Sequence, residues 1–144
     1  MARALINRGQ RAYLLETIFN KFKKLEENYD FIVCEGTDFT GTDPALEFDL
    51  NAEIAANLNC PMVLVANCAG KSYDEITEST QMTLEQLCEK GIDVVACLIN
   101  LATMSRTEER QINEMLHCTI SSNPIMTYIL PETPPLGRPT VADV

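Results

Sequence analysis

Short apolar runs alternate with amphipathic segments along most of this chain, and this alternation constrains its fold more than any other feature. Continuous apolar runs bounded by turn residues are typical of strands in parallel sheets, which are covered on both faces. The segments between them carry apolar residues three or four positions apart, as helices with one buried face do. We therefore predict an α/β fold with a parallel sheet of about four strands. The predicted strands are Phe31–Cys34, Pro61–Ala66, Ile92–Ile99 and Pro124–Leu130.

Capping signals mark where the helices begin. The pairs Ser72–Glu75 and Ser105–Glu108 form capping boxes, in which a hydroxyl and a carboxylate satisfy unpaired N–H groups of a helix. Asp43 and Pro44 favour a helix start as the cap and the first helical residue. Gln10–Glu27 has helical spacing, so the chain opens on a helix. We expect one helix before each strand, with helices on both faces of the sheet.

Length and charge limit the classes of function. The chain has 144 residues, which suits one domain, and a formal net charge of −10. Nucleic acids and anionic membranes bind basic surfaces, so we expect neither as a partner. No segment approaches the ~18 apolar residues of a membrane span, and the N-terminal sequence lacks the apolar core of a signal peptide. We therefore expect a cytoplasmic protein.

Six cysteines are spread along the chain without a C-x-x-C pair. Cys34 and Cys97 lie inside apolar runs, where cysteine behaves as a small hydrophobic residue. A metal site or a disulfide framework is the alternative, but the spacing favours neither. We expect buried free thiols in a reducing compartment. The six residues are Cys34, Cys60, Cys68, Cys88, Cys97 and Cys118.

An acidic side chain ends the first predicted strand. Glu35 is followed by Gly36 and, two residues later, by Asp38. In α/β folds, ligands bind at the carboxyl ends of the strands. A carboxylate there can hold Mg²⁺, and a glycine permits close approach of the backbone to a phosphate. We predict these three residues as candidate cofactor-binding residues, with Glu35 as a metal ligand; the alternative is an acid that caps nearby amides.

Two stretches imitate a phosphate-binding loop. Gly36–Asp43 has the glycine spacing, but its aspartates would repel a phosphate. Val65–Ser72 lies between a strand and a helix and ends in the letters GKS, which is the right context. Val65 stands where the first glycine should be, however, and a β-branched residue resists the conformation that turns amides inward. We favour Ser72 as a helix cap and Lys71 as a solvated charge, which leaves no convincing phosphate loop.

Asparagines follow two of the predicted strands. Asn67 and Asn100 lie where ligands bind in such sheets, so both are candidate cofactor-binding residues. A side-chain amide can bond a nucleotide base; the alternative is that asparagine suits the turn. Asn51 lies inside a helix, where we favour a hydrogen bond to the backbone of another element over a ligand role. No Ser/His/Asp triad is evident, so we predict no catalytic residue.

Four motifs, VCEGTD, FDLNAEIAANL, PMVLVAN and PPLGRPTV, occur in an order that resembles one family. They are similar to the N-terminal, dethiobiotin-synthetase-like domain of large bacterial phosphate acetyltransferases. The resemblance runs from about Leu14 to the end of the chain and implies a P-loop NTPase-like fold that lacks its first strand and phosphate loop. The chain opens on a helix and ends in linker-like sequence, so we expect it to be a fragment of a longer polypeptide. Residues 1–132 would form the truncated domain, and residues 133–144 a linker towards a following domain.

The resemblance also implies a function. Large members of the family interconvert acetyl-CoA plus phosphate with acetyl phosphate plus CoA, and their acyl-transfer site lies in a separate C-terminal domain. Their N-terminal domain serves regulation and oligomer assembly. In the ancestral fold, the glutamate matching Glu35 helps to bind Mg²⁺, and an asparagine near Asn100 faces the base. Without the phosphate loop no cofactor is required, and any nucleotide or Mg²⁺ binding would be vestigial.

The leading hypothesis is therefore a non-catalytic regulatory or assembly domain. Its expected partners are the remainder of the parent enzyme and another copy of the chain, because a missing central strand would expose sheet edges. One alternative is a stand-alone ATP-dependent ligase like dethiobiotin synthetase, which needs a phosphate cradle that the sequence does not show. The other is an oligomerisation module without a ligand.

Overall fold

The computed structural model describes residues 5, 6, 8–37, 44–118 and 125–133. The chain divides into two compact units, unit one at Met1–Cys60 and unit two at Pro61–Val144. Each unit has its own helices, and within the described ranges the sheet belongs to unit two. No helix in these ranges is both long enough and apolar enough to cross a bilayer.

Two helices of unit one lie close to their predicted extents. α1 is Arg11–Glu26 and α2 is Pro44–Leu58, while the predicted cap Asp43 lies outside the described residues. The helices contact each other, and Nε of Arg11 donates a hydrogen bond to Oε2 of Glu53 at 2.6 Å. Burial of one helical face accounts for the apolar spacing in the sequence. The buried apolar residues are Leu14, Leu50, Ala52 and Ala55.

The predicted strand Phe31–Cys34 is wrong. Residues 31–37 have no regular secondary structure, and the side chains of Phe31 and Val33 are 83% and 80% exposed. Cys34 is exposed as well, against the expectation of a buried thiol. A strand needs a neighbour to bond its backbone groups, and none of the described strands pairs with this segment. The described sheet therefore has three strands rather than about four.

Unit two is built around a parallel sheet. β1 is Met62–Asn67, β2 is Val94–Asn100 and β3 is Met126–Leu130, and β2 lies between the other two. Both strand pairs are parallel, and the register places Asn67 beside Asn100. The predicted α/β class with a parallel sheet flanked by helices is confirmed.

The two helices in the described part of unit two begin with the predicted capping boxes. α3 is Tyr73–Glu89 and α4 is Arg106–Met115. At the start of α3, the Ser72 hydroxyl accepts a hydrogen bond from the N–H of Glu75, whose carboxylate accepts one from the N–H of Ser72 at 2.8 Å. The Ser105–Glu108 pair repeats the arrangement before α4. The backbone bond from Ser72, aided by its hydroxyl, lowers the pKa of the Glu75 carboxyl.

The core of unit two lies between the sheet and its helices. α3 contacts α4 and β2, and α4 contacts β3. β2 is the most deeply buried strand, since it has a neighbour on each side. Burial of one face of α3 and α4 accounts for the apolar spacing in the sequence, although Met115 at the end of α4 is half exposed. The most deeply buried side chains are Ile76, Leu84, Leu87, Cys97, Ile99 and Ile112.

The cysteines follow the prediction in part. Cys68 and Cys97 are free and buried, as expected. Cys88 and Cys118 instead form a disulfide, with their Cα atoms 6.2 Å apart. The expectation of free thiols at these two positions is wrong because spacing along the chain does not reveal a pairing across 30 residues. The segment after α4 lies against α3, and this tertiary contact brings the two sulfurs together.

Candidate functional site

The carboxyl ends of the three strands form one edge of the sheet in unit two. Asn67 ends β1 and Asn100 ends β2, and the two are register partners. Beyond them, the N–H of Cys68 donates to the carbonyl of Asn100 at 2.8 Å, and the N–H of Ala102 donates to that of Leu130 at 3.2 Å. Both asparagines therefore lie at the predicted edge, and their role in binding stays a prediction.

Backbone N–H groups of the loop from β1 to α3 already donate hydrogen bonds to acceptors of the protein. The N–H of Ala69 bonds Oδ1 of Asn67 at 3.1 Å, and the N–H of Lys71 bonds the carbonyl of Cys68 at 3.1 Å. Gly70 adopts a φ of +70°, which lets the chain turn within this short loop. A phosphate-binding loop directs such amides at its ligand. Here the amides of Cys68, Ala69 and Lys71 are already bonded within unit two.

The helix start that follows this loop carries a carboxylate. The N–H and the hydroxyl of Ser72 both donate to Oε2 of Glu75, at 2.8 and 2.7 Å. A phosphate at this helix N-terminus would compete with that carboxylate and be repelled by it. Lys71 is exposed to solvent. The residues of this loop therefore do not fit a nucleotide phosphate, in agreement with the interpretation of Ser72 as a helix cap.

Two buried thiols belong to the same part of unit two. Cys97 lies in β2 without exposed surface, and burial, with a smaller effect of Cys68, raises the pKa of its thiol to about 12. Burial also raises the pKa of Cys68, while Lys71 acts in the opposite direction. The thiolate is the form of cysteine that attacks substrates and binds metals. Neither residue is therefore a candidate nucleophile at neutral pH.

In unit one, the segment after Glu35 is held by Asn51 of α2. Oδ1 of Asn51 accepts hydrogen bonds from the N–H and the hydroxyl of Thr37 at 3.0 and 3.2 Å, and Nδ2 donates to the Thr37 carbonyl at 2.8 Å. A Cβ at Gly36 would lie 3.0 Å from Cγ of Asn51. The prediction that Asn51 bonds the backbone of another element is confirmed. A side chain at position 36 would therefore press against the amide of Asn51, and cofactor binding by Gly36 stays a prediction.

The remaining candidate ligands are distributed over both units. Glu35 and Gly36 are exposed residues of unit one, and Asp38 lies outside the described residues. Asn67 and Asn100 are the two candidates that the structure brings together. Across the described ranges, no group of three or more His, Cys, Asp or Glu side chains could hold a metal ion. Ligation of Mg²⁺ by Glu35 stays a prediction.

The single histidine of the chain lies just beyond the C-terminal end of α4. Nδ1 of His117 lies 2.6 Å from the carbonyl oxygen of Met115, the last residue of that helix. The backbone N–H and carbonyl of His117 both bond the side-chain amide of Gln81. These contacts give His117 a structural role.

Replacing Asn51 with alanine should loosen the segment that carries Glu35. The change removes three hydrogen bonds to Thr37, and because these groups are exposed to water we expect a loss of only about 1 kcal/mol in the free energy of unfolding. The amide of Thr37 should exchange its hydrogen about tenfold faster. Urea unfolding and hydrogen exchange measure the two effects.

Asn57→Ala is the matched control for this change. Asn57 lies on the same helix and donates to the carbonyl of Glu53 within it. Its replacement should leave the exchange rate at Thr37 unchanged. Equal protection of Thr37 in the Asn51→Ala variant and the control would contradict the proposed contact.

Comparison with known proteins relates the chain to one protein family and to two enzymes that share a name. A family model described as an AAA domain matches residues 2–140. A phosphate acetyltransferase of Nitratidesulfovibrio vulgaris (strain Hildenborough) is 54% identical over 144 residues, which is 99% of this chain and 20% of that protein. A phosphate acetyltransferase of Synechocystis sp. (strain PCC 6803) is 36% identical over 97 residues, 67% of this chain and 14% of that protein. No solved structure matches the chain. The chain thus spans at most 20% of the length of either relative.

Proposed function

The chain belongs to the AAA-domain family, a P-loop-like family, and on that premise we propose that it is a non-catalytic regulatory and assembly segment of a phosphate acetyltransferase. The observation that carries this proposal is the 54% identity to one such enzyme over 99% of the chain. The match covers 20% of that enzyme, so the acetyl-transfer site would reside in the remainder. The parent would interconvert acetyl-CoA plus phosphate with acetyl phosphate plus CoA.

The chemistry of the described residues supports a non-catalytic role. An acetyl transfer to phosphate needs donors that bind the phosphate, whereas the amides of Cys68, Ala69 and Lys71 in the loop between β1 and α3 are already bonded within unit two. The buried thiol of Cys97, with a pKa of about 12, is not available as an acyl carrier. The proposed segment requires no cofactor, and binding of a nucleotide with Mg²⁺ would be vestigial.

One face of the unit-two sheet supports the assembly role. The strand registers place Val63 and Val65 of β1 on the same face as Met126 and Tyr128 of β3. Each of these four apolar side chains is about half exposed. Exposed apolar side chains grouped on one face of a sheet are typical of sites of protein association. The proposed partners are a second copy of the chain and the remainder of the parent enzyme, in the cytoplasm; the net charge of −10 disfavours nucleic acid.

Association of the purified chain tests the assembly role. We expect sedimentation velocity to show dimers that form as the protein concentration rises. Val65→Asp places a charge on the apolar sheet face and should raise the dissociation constant at least about tenfold, because burying an unpaired charge is costly. Met82→Asp is the matched control, since Met82 is equally exposed but lies on α3.

Two outcomes would contradict the proposal. A chain that stays monomeric at every concentration would exclude self-assembly. A large rise in melting temperature with ATP and Mg²⁺, together with turnover of diaminopelargonic acid and bicarbonate, would favour the alternative of a dethiobiotin-synthetase-like ligase.

A further inference from the structure

The segment that follows α4, Leu116–Cys118, is attached to α3 by side chains. We refer to it as the exit segment. Nε2 of Gln81 donates to the carbonyl of His117 at 3.1 Å, and the N–H of His117 donates to Oε1 of Gln81 at 3.3 Å. The next residue of the exit segment, Cys118, is bonded through its sulfur to Cys88 of α3. The side-chain amide of Gln81 and the sulfur of Cys88 therefore hold the consecutive residues His117 and Cys118 on α3.

The two attachment points lie on one face of α3. Gln81 and Cys88 are seven residues apart, which is about two helical turns. Positions with this spacing lie one above the other along a helix. Cys88 is buried and Cys118 is half-buried, so the second sulfur is the more accessible of the pair. The disulfide thus adds a covalent link to the contact that the hydrogen bonds of Gln81 already make between α3 and the exit segment.

The disulfide also closes a long loop of chain. It joins residues that are 30 positions apart, and the enclosed chain contains β2 and α4. Such a crosslink restricts the unfolded chain and so favours the folded one. Beyond Cys118 the chain continues to β3, which begins at Met126.

We propose that the Cys88–Cys118 pair is a redox-sensitive lock that fixes the exit segment on α3 when oxidised and lets it detach more often when reduced. Disulfides in reducing compartments are mostly transient and redox-sensing, which suits a lock rather than a permanent crosslink. The hydrogen bonds of Gln81 keep the two thiols near each other in the reduced state. The lock goes beyond the proposed assembly role and does not depend on it.

The oxidant is a low-molecular-weight disulfide such as oxidised glutathione. The thiolate of Cys118, the more accessible sulfur, attacks one glutathione sulfur, forms a mixed disulfide and releases one glutathione thiolate. Cys88 then loses its proton and attacks the sulfur of Cys118, which releases the second glutathione. Two protein thiols are oxidised, one glutathione disulfide is reduced to two thiols, and the protein's two protons pass to the released glutathione.

The experiment compares the full chain after equilibration with oxidised or with reduced glutathione. Peptide mapping by mass spectrometry should find the Cys88–Cys118 link in the first sample and both thiols free in the second. Reduction should lower the melting temperature by about 12 °C, given the length of the closed loop. Hydrogen exchange at the exit segment should become at least about tenfold faster on reduction, because its covalent link to α3 is lost.

Two variants separate the lock from other thiol chemistry. Cys118→Ser should melt at one temperature under both conditions, whereas Cys34→Ser should keep the full shift, since Cys34 is an exposed free cysteine of unit one. Absence of the Cys88–Cys118 link after oxidation would overturn the proposal. So would equal exchange rates in both samples, or a redox-dependent shift that persists in Cys118→Ser.

Discussion

Leu84→Ala should destabilise the fold by about 3 kcal/mol, because the variant loses the buried methyl groups and leaves a cavity in unit two. Leu84 has no exposed surface and lies on α3, the helix that contacts both α4 and β2. A loss of this size is a large fraction of the 5–15 kcal/mol that stabilises ordinary domains. The expected fall in melting temperature is about 10 °C. Thermal and urea unfolding followed by circular dichroism provide the measurement.

Two controls separate the loss of core packing from a general effect on α3. Met82→Ala removes an exposed side chain from the same helix and should change stability by less than about 0.5 kcal/mol. Leu84→Met keeps most of the buried volume and should cost less than about 1.5 kcal/mol. If Leu84→Ala and Met82→Ala unfold at the same urea concentration, the described core is wrong.

Much of unit two could be predicted because its signals are local. The apolar runs around Val65 and Cys97 form parallel strands, and the capping boxes at Ser72 and Ser105 begin helices where expected. In each case the residues that determine the element are neighbours in the sequence. Asn67 and Asn100 meet at one edge for a related reason, since strands of a parallel sheet end together.

The errors arise where structure depends on distant partners. Phe31–Cys34 has the composition of a strand, but a strand forms only with a neighbour to share its hydrogen bonds, and the described sheet offers none. The Cys88–Cys118 disulfide depends on the contact between α3 and the exit segment. Nothing near either cysteine in the sequence signals that contact.

The candidate site could be predicted only in part, because some of its contacts also join residues that are distant in the sequence. A mid-helix asparagine such as Asn51 signals a polar contact, yet its partner Thr37 lies 14 residues away, and only the fold identifies it. The rejection of a phosphate loop at Val65–Ser72 came from a β-branched residue. The structure adds a second reason, because the amides of Cys68, Ala69 and Lys71 already donate hydrogen bonds within unit two. Glu35 stays a predicted metal ligand.

The purified chain should show no acetyl transfer between CoA and phosphate, which would be a complete loss relative to a full-length enzyme. The chain corresponds to 20% of the phosphate acetyltransferase that it matches at 54% identity. We propose that the reacting groups lie in the remaining length, since the described loop at the carboxyl edge does not fit a phosphate. Circular dichroism must first show that the purified chain is folded.

The most direct test of the central claim is the rate at which the folded 144-residue chain forms acetyl phosphate from acetyl-CoA and inorganic phosphate. The full-length relative from Nitratidesulfovibrio vulgaris, assayed under the same conditions, serves as the positive control. The account predicts a rate equal to the background without protein. A rate that rises in proportion to the concentration of the chain would contradict it.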